Sequence, residues 1–147
     1  MRGMGAMVVV LILGLAVGWA QEEPSFQVVE NPFQEEYALK LGEPVKLYVE
    51  VEGTRFADFT LTPQGNVEPG KTVKAQVVIN GTRTASSRAE IVPVFLLEDV
   101  NGKSLERVSP APFKVRGSRP FEYRDTVNVS GDALAAAAKV WVYLEIR

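Results

Sequence analysis

From Val45 to Glu52 apolar and polar side chains alternate without a break: Val45, Leu47, Val49 and Val51 against Lys46, Tyr48, Glu50 and Glu52. Successive side chains of a strand point to opposite faces, so this period of two specifies a β-strand with one buried and one wet face. A helix would scatter those valines around its circumference. Gly42-Glu43-Pro44 and Gly53-Thr54 bracket the run as breakers. The same signature recurs in Phe56–Thr62, where Ala57, Phe59 and Leu61 read as the inward set. It recurs again in Thr72–Ile79, with Val73, Ala75, Val77 and Ile79 inward.

Later segments follow suit. Ile91–Leu97 is apolar without clean alternation, which reads as a strand covered on both faces, with Pro93 marking a bulge or an edge position. Leu105–Val108, Phe113–Arg116 and Phe121–Val129 are further strands, the last with its phase broken at Asp125. Val140–Arg147 is a strong terminal strand, and Phe26–Val29 and Tyr37–Leu41 are two early ones. Asn80-Gly81 reads as a two-residue hairpin turn, the pair of residues best able to adopt positive φ at both positions. Asp132–Lys139 is the one helical piece: alanine-rich, with Ser130 or Asp132 as its cap, and too short to persist without packing.

Eight or nine short strands with no βαβ alternation predict an all-β fold, an antiparallel two-sheet sandwich with one short helical segment near the C-terminus. A small barrel is the alternative. The spacing of the strands and turn phrases such as Val67-Glu68-Pro69-Gly70-Lys71 resemble immunoglobulin-like or fibronectin type III-like domains of exported bacterial proteins, over Glu36 to Arg147. The paired cysteines of antibody domains are absent, so the resemblance implies the sandwich and no particular activity.

The N-terminus sets the expected compartment. Arg2 is the only charge before Glu22, Met7–Val17 is uncharged and apolar, and Gly18 and Ala20 are small. That is the pattern of a secretory signal peptide over residues 1–20, cleaved after Ala20. An uncleaved membrane anchor is the alternative, since about 20 apolar residues can span a bilayer. Residues 21–35 read as a leader or first edge strand and residues 36–147 as the sandwich domain. The expected location is the periplasm, the cell surface or the medium, with membrane contact only through an uncleaved N-terminus.

Composition removes whole classes of chemistry. The chain has no histidine and no cysteine. A Ser-His-Asp triad, thiol catalysis, ordinary zinc sites and lipoprotein anchoring all lose an essential residue, and no disulfide can staple the fold. No phosphate-binding glycine motif occurs, so no cofactor is implied. A formal net charge of −2 with no basic block predicts no nucleic-acid partner. Asp58, Glu90, Glu98, Asp99, Glu122 and Asp125 are the carboxylates that a hydrolase would draw on, and their spacing favours no pair. Asp99-Val100-Asn101-Gly102-Lys103 departs from a calcium loop at its fourth and fifth positions and reads as a hairpin turn. Asn80 and Asn128 head formal glycosylation sequons.

One surface stands out. Trp141 and Tyr143 share the face of the last strand opposite Val140, Val142 and Leu144, and Tyr48 also points outward. Exposed aromatics on a sheet suit a protein partner or a sugar ring. The competing reading has this face covered by the Asp132–Lys139 segment. The expectation is a non-enzymatic module for protein–protein interaction or envelope structure, with a carbohydrate-binding module and a carboxylate-dependent hydrolase as alternatives.

Overall fold

The computed structural model describes residues 25–147; the signal-peptide expectation lies outside them. Among the described residues, ten strands form two sheets. Sheet A has the order β1-β3-β4-β5-β9, from β1 (Gln27–Val29), β3 (Val45–Val51), β4 (Thr54–Pro63), β5 (Thr72–Arg83) and β9 (Arg119–Ser130). Sheet B has the order β2-β10-β6-β7, from β2 (Phe33–Ala38), β10 (Lys139–Ile146), β6 (Ala89–Glu98) and β7 (Ser104–Val108), with β8 (Phe113–Val115) also on β6. The chain is therefore a two-sheet sandwich rather than a barrel. All pairings are antiparallel except β1 on β3, which is parallel.

The core lies between the inner faces, where the alternating valines, leucines and phenylalanines of both sheets meet. Phe59 of β4 stacks on Phe95 of β6 with ring centroids 4.4 Å apart, tying sheet to sheet at the centre. A second aromatic group bridges the sheets at the β8/β9 side: Phe113 stacks on Tyr123 at 3.9 Å and tilts against Phe121 at 5.7 Å. The helix α1 (Gly131–Ala136) is capped by Ser130, whose hydroxyl accepts from the Ala133 N–H at 3.3 Å. It buries Ala133 and Leu134 and packs on β6, β7 and β9. Lys139 is no part of it; that residue begins β10.

Several sequence readings need correction. Asn80-Gly81 makes no turn: β5 runs through it to Arg83, paired with β4 on one side and β9 on the other. Glycine is needed at 81 because a Cβ there would collide with the Arg55 carbonyl oxygen and the Phe121 ring. No hairpin partner follows either, since β6 lies in the opposite sheet. The positive-φ pair that does close a hairpin is Glu52-Gly53 (φ 46° and 74°), between β3 and β4. In β4 the inward residue is Phe56 rather than Ala57. A bulge between Phe56 and Asp58 shifts the register by one residue, so Phe56 and Phe59 both reach the core. Asp125 does not break the phase of β9. It shares a face with Phe121, Tyr123 and Val127, and its carboxylate accepts the backbone N–H of Ala111 (2.8 Å) and Thr126 (2.9 Å).

Pro93 sits where its missing N–H costs nothing. β7 pairs with β6 from Phe95 onward and β8 up to Ile91. The gap between them falls at Ser109–Pro112, the other proline-rich stretch. The second early strand covers Phe33–Ala38 rather than Tyr37–Leu41, because the ladder with β10 runs from Phe33↔Leu144 to Ala38↔Lys139.

One buried charge organises the end of sheet A. The Arg83 guanidinium donates to the Glu52 carbonyl, to Thr54 Oγ1 (2.9 Å), and to the Ser87 carbonyl (3.1 Å) and hydroxyl (3.0 Å). It thereby closes the β3–β4 turn onto the β5–β6 crossover. Arg83→Met is expected to lower unfolding free energy by about 3 kcal/mol in urea titration, because it strands several acceptors. Phe59→Ala is expected to cost about 3–5 kcal/mol in the same assay, by cavity formation at the inter-sheet stack.

Candidate functional site

The two outer faces of the sandwich differ in kind. On sheet A, β5 presents Lys74, Gln76, Val78 and Asn80, β9 presents Glu122, Arg124, Thr126 and Asn128, and β3 presents Tyr48. On sheet B, β6 presents Val92, Val94 and Leu96, all partly exposed, and β10 presents Trp141 and Tyr143 beside them. The ladder sets Trp141 opposite Leu96 and Tyr143 opposite Val94. On the other flank, Glu36 and Gln34 of β2 lie beside the same two aromatics. Arg107 of β7 lies beside Leu96. Gln34, Val94, Leu96, Arg107, Trp141 and Tyr143 line a shallow cleft of about 430 Å³.

Trp141 is 36% exposed and α1 does not lie over it, so the covered-face reading fails. Its indole N–H donates to Gln34 Oε1 at 3.3 Å. The Tyr143 hydroxyl donates to Glu145 Oε1 at 2.7 Å, and Arg147 Nε donates to Glu145 Oε2 at 3.0 Å. Arg147 first and Tyr143 second hold the Glu145 carboxyl below its ordinary range. The same bond to Glu145 raises the Tyr143 hydroxyl pKa. Both aromatic rings are thus steered by polar neighbours at their tips while their faces stay available. Fixed aromatics lose little side-chain freedom on binding.

Tyr48 is not part of this surface. It lies on β3 in sheet A, at a bulge with φ 49°, and its ring packs edge-on to Phe26 at 5.6 Å. Arg55 sits over Phe26 at 5.1 Å and pairs with Glu50 at 3.0 Å.

The carboxylates singled out above are dispersed. Asp58 accepts from the Asn80 amide at 2.9 Å, which also occupies the side chain of that sequon. Glu122 pairs with Arg124 at 2.8 Å, and Asp125 caps backbone N–H groups. Glu90 exchanges two backbone hydrogen bonds with Arg147. Asp99 Oδ1 accepts the N–H of Asn101 and of Lys103, each at 2.9 Å, so its carboxylate closes the β6–β7 hairpin. No group of three or more potential metal ligands occurs among the described residues.

Glu98 differs from these. It is 8% exposed, and its Oε1 is sealed from solvent without a hydrogen-bond donor. Glu36 approaches it on the outer face, with Lys139 between them on β10 and 3.8 Å from the Glu36 carboxylate. The pairing with Glu36 raises the Glu98 pKa most, followed by burial and the charge of Glu36; Lys139 partly offsets the rise and Asp99 adds to it. A protonated Glu98 can donate to Glu36, which an ionised one cannot. Glu36, Gln34, Val94, Leu96 and Arg107 carried no individual signal in the sequence. The lack of alternation in Ile91–Leu97 was the one hint that the outer face of this sheet is apolar.

The shift of Glu98 has a definite sign. A carboxyl whose pKa rises on folding stabilises fully below the ordinary glutamate range, about 4.3, and loses that contribution as pH rises through its folded value. Glu98→Gln keeps the donor and removes the titration. Urea midpoints measured from pH 4 to 8 should fall less for Glu98→Gln than for the unaltered protein, and the variant should be the more stable of the two at pH 8.

Comparison with protein-family models, curated proteins and solved structures finds no match for this chain.

Proposed function

We propose that the chain is an exported, non-enzymatic β-sandwich module that works by protein–protein contact, in solution or as part of the cell envelope, through the outer face of sheet B. One observation carries the reading. The outer face of sheet A is mostly polar on β5 and β9, and its apolar members Val28, Tyr48 and Val78 are scattered over different strands, whereas that of sheet B gathers Trp141, Tyr143, Val92, Val94 and Leu96 on two adjacent strands. An aliphatic and aromatic patch rimmed by Gln34, Glu36, Arg107, Lys139 and Glu145 has the make-up of an interface centre with a polar rim. Its strands belong to the rigid core, so the patch is held in shape without a partner. The immunoglobulin-like resemblance belongs to the same proposal and by itself selects no activity.

A sugar is the second reading, favoured by Trp141 standing beside Gln34 and Arg107 in one cleft. The aliphatic side chains that fill the rest of the face argue for protein, since they offer a sugar no hydrogen bonds.

The test is capture of partners from an envelope extract of the producing cells by the purified protein, compared with Trp141→Ala and with Lys74→Ala on the opposite sheet. Trp141→Ala should reduce retention of the specific partners at least tenfold, with circular dichroism unchanged, and Lys74→Ala should retain them. An identical set of partners for both variants would remove this face from the function. Quenching of Trp141 fluorescence by polysaccharide, with no protein retained, would transfer the site to the sugar reading.

A further inference from the structure

The outer face of sheet B is complementary to itself. Along β10 its outward residues run Lys139, Trp141, Tyr143, Glu145. Cation and anion occupy opposite ends, with the two aromatics between. β6 continues the theme with Leu96 beside Trp141 and Val94 beside Tyr143, and β2 does so with Glu36 and Gln34. A two-fold axis in the plane of the face, perpendicular to β10 and midway between Trp141 and Tyr143, reverses each of these strands onto itself. Lys139 then meets Glu145 of the partner subunit and Trp141 meets Tyr143 of the partner subunit. On the flanks, Leu96 meets Val94 of the partner subunit, and the Glu36 carboxylate meets the Gln34 amide of the partner subunit. These four contacts are of matching kind: opposite charges, aromatic on aromatic, aliphatic on aliphatic, acceptor on donor; at the periphery the same axis sets Glu98 against Val92 of the partner subunit, which do not match.

We propose that this face docks a second copy of the chain, as an isologous dimer in which β10 of one subunit lies antiparallel across β10 of the other. The proposal rests on the reading of this face as a protein-contact surface and names its occupant. Charge balance supports a copy of the chain. The carboxylates Glu36 and Glu145 are matched on the same face by Lys139, Arg107 and Arg147, so the surface selects for neither a strongly acidic nor a strongly basic partner. The area is close to what a dimer needs. Strands of six, eight, ten and five residues, about 4.8 Å apart and rising about 3.3 Å per residue, give roughly 460 Å² per copy and about 920 Å² in all, before side-chain relief is added. Side-chain relief has to supply the remainder of the roughly 1,000 Å² that a specific interface clears. Sheets packed face to face cross at about 30°, so the correspondence is closest at Trp141 and Tyr143 and loosens toward the ends.

The geometry offers a test that a heterologous partner cannot imitate. Lys139 and Glu145 are about 20 Å apart within one chain, roughly two screening lengths in physiological salt, so coupling between them must act between chains. Lys139→Glu leaves both positions acidic, and Glu145→Lys leaves both basic. Each variant alone brings like charges together twice across the two-fold axis; mixed one to one, they restore two opposite-charge contacts. Sedimentation equilibrium of the protein, in the form in which it accumulates in its producing cells, should show a dimer at about 100 μM. Each single variant should dissociate at least tenfold more readily, and the mixture should recover association. The matching pair Lys74→Glu and Glu122→Lys on sheet A should leave the dimer unaltered. A monomer at that concentration overturns the dimer, as does a dimer that neither variant weakens or that mixing fails to restore. Loss of a different protein on Trp141→Ala, with the chain itself monomeric, would overturn the dimer while leaving the contact surface standing.

Discussion

The stack of Phe59 on Phe95 marks the constraint on which the rest of this molecule depends: two sheets must close over one apolar layer with no covalent help. Without a cysteine in the chain, sheet A is held to sheet B chiefly by burial, with a few crossing segments, the helix that plugs one end and hydrogen bonds at the rim adding to it. Burial acts through area, so every inward position matters, and the chain spends two bulges to keep them aligned. The bulge in β4 turns both Phe56 and Phe59 inward; the one in β3 lies between Lys46 and Val49 and leaves the alternation of Val45, Leu47, Val49 and Val51 intact. A bulge twists a strand more strongly, which lets a flat ladder wrap the second sheet.

Satisfying the inner faces leaves the edges and outer faces to be managed separately. β9, a long edge strand, has the β7–β8 connection across its open side: Ala111 donates to Asp125, Tyr123 donates to the Ala111 carbonyl, and Glu106 accepts the Ser130 N–H. β2 carries Glu35 and Glu36 along its exposed length, which discourages edge-to-edge pairing. Asn31 clamps the β1–β2 crossover to the end of β10 through both the N–H and the carbonyl of Ile146, so the chain changes sheets without loosening the terminal strand. Sheet A then meets water with mostly polar side chains and scattered apolar ones, whereas sheet B keeps a continuous apolar stripe. That asymmetry is the feature of the surface which folding alone does not require. The Glu36, Glu98 and Lys139 group stands at one end of the stripe, so ionisation and contact are neighbours on the same face.

The strands were legible wherever the period of two was clean. Val45–Val51 reads correctly residue by residue, and Val73, Ala75, Val77 and Ile79 are inward as their spacing requires. The Asn80-Gly81 pair misled because turn propensity and close backbone approach call for the same residue. Only the position of Arg55 and Phe121 shows that the second reason applies. At Ala57 and Asp125 a bulge and a capping carboxylate alter what the local pattern means, and neither leaves a local mark. At the candidate site, Trp141 and Tyr143 were visible as a pair on one strand. Tyr48 alternates outward as they do, but outward from one sheet is the opposite direction from outward from the other.

Local chemistry along the chain determines what each segment can be: which runs extend, which glycine and proline stretches interrupt them, that Ser130 caps a short helix, and that histidine- and cysteine-dependent chemistry is absent. Those properties depend on side chains within a few residues of one another. Which strand lies beside which is a different matter. The placement of β2 and β6 on either side of β10, the parallel seat of β1, the meeting of Glu36 with Glu98 and the joining of Gln34, Leu96 and Arg107 to Trp141 were decided only when the two sheets closed. Register between distant strands is set by the total burial and hydrogen bonding of the closed sandwich, a sum over long-range contacts that no single stretch of sequence contains.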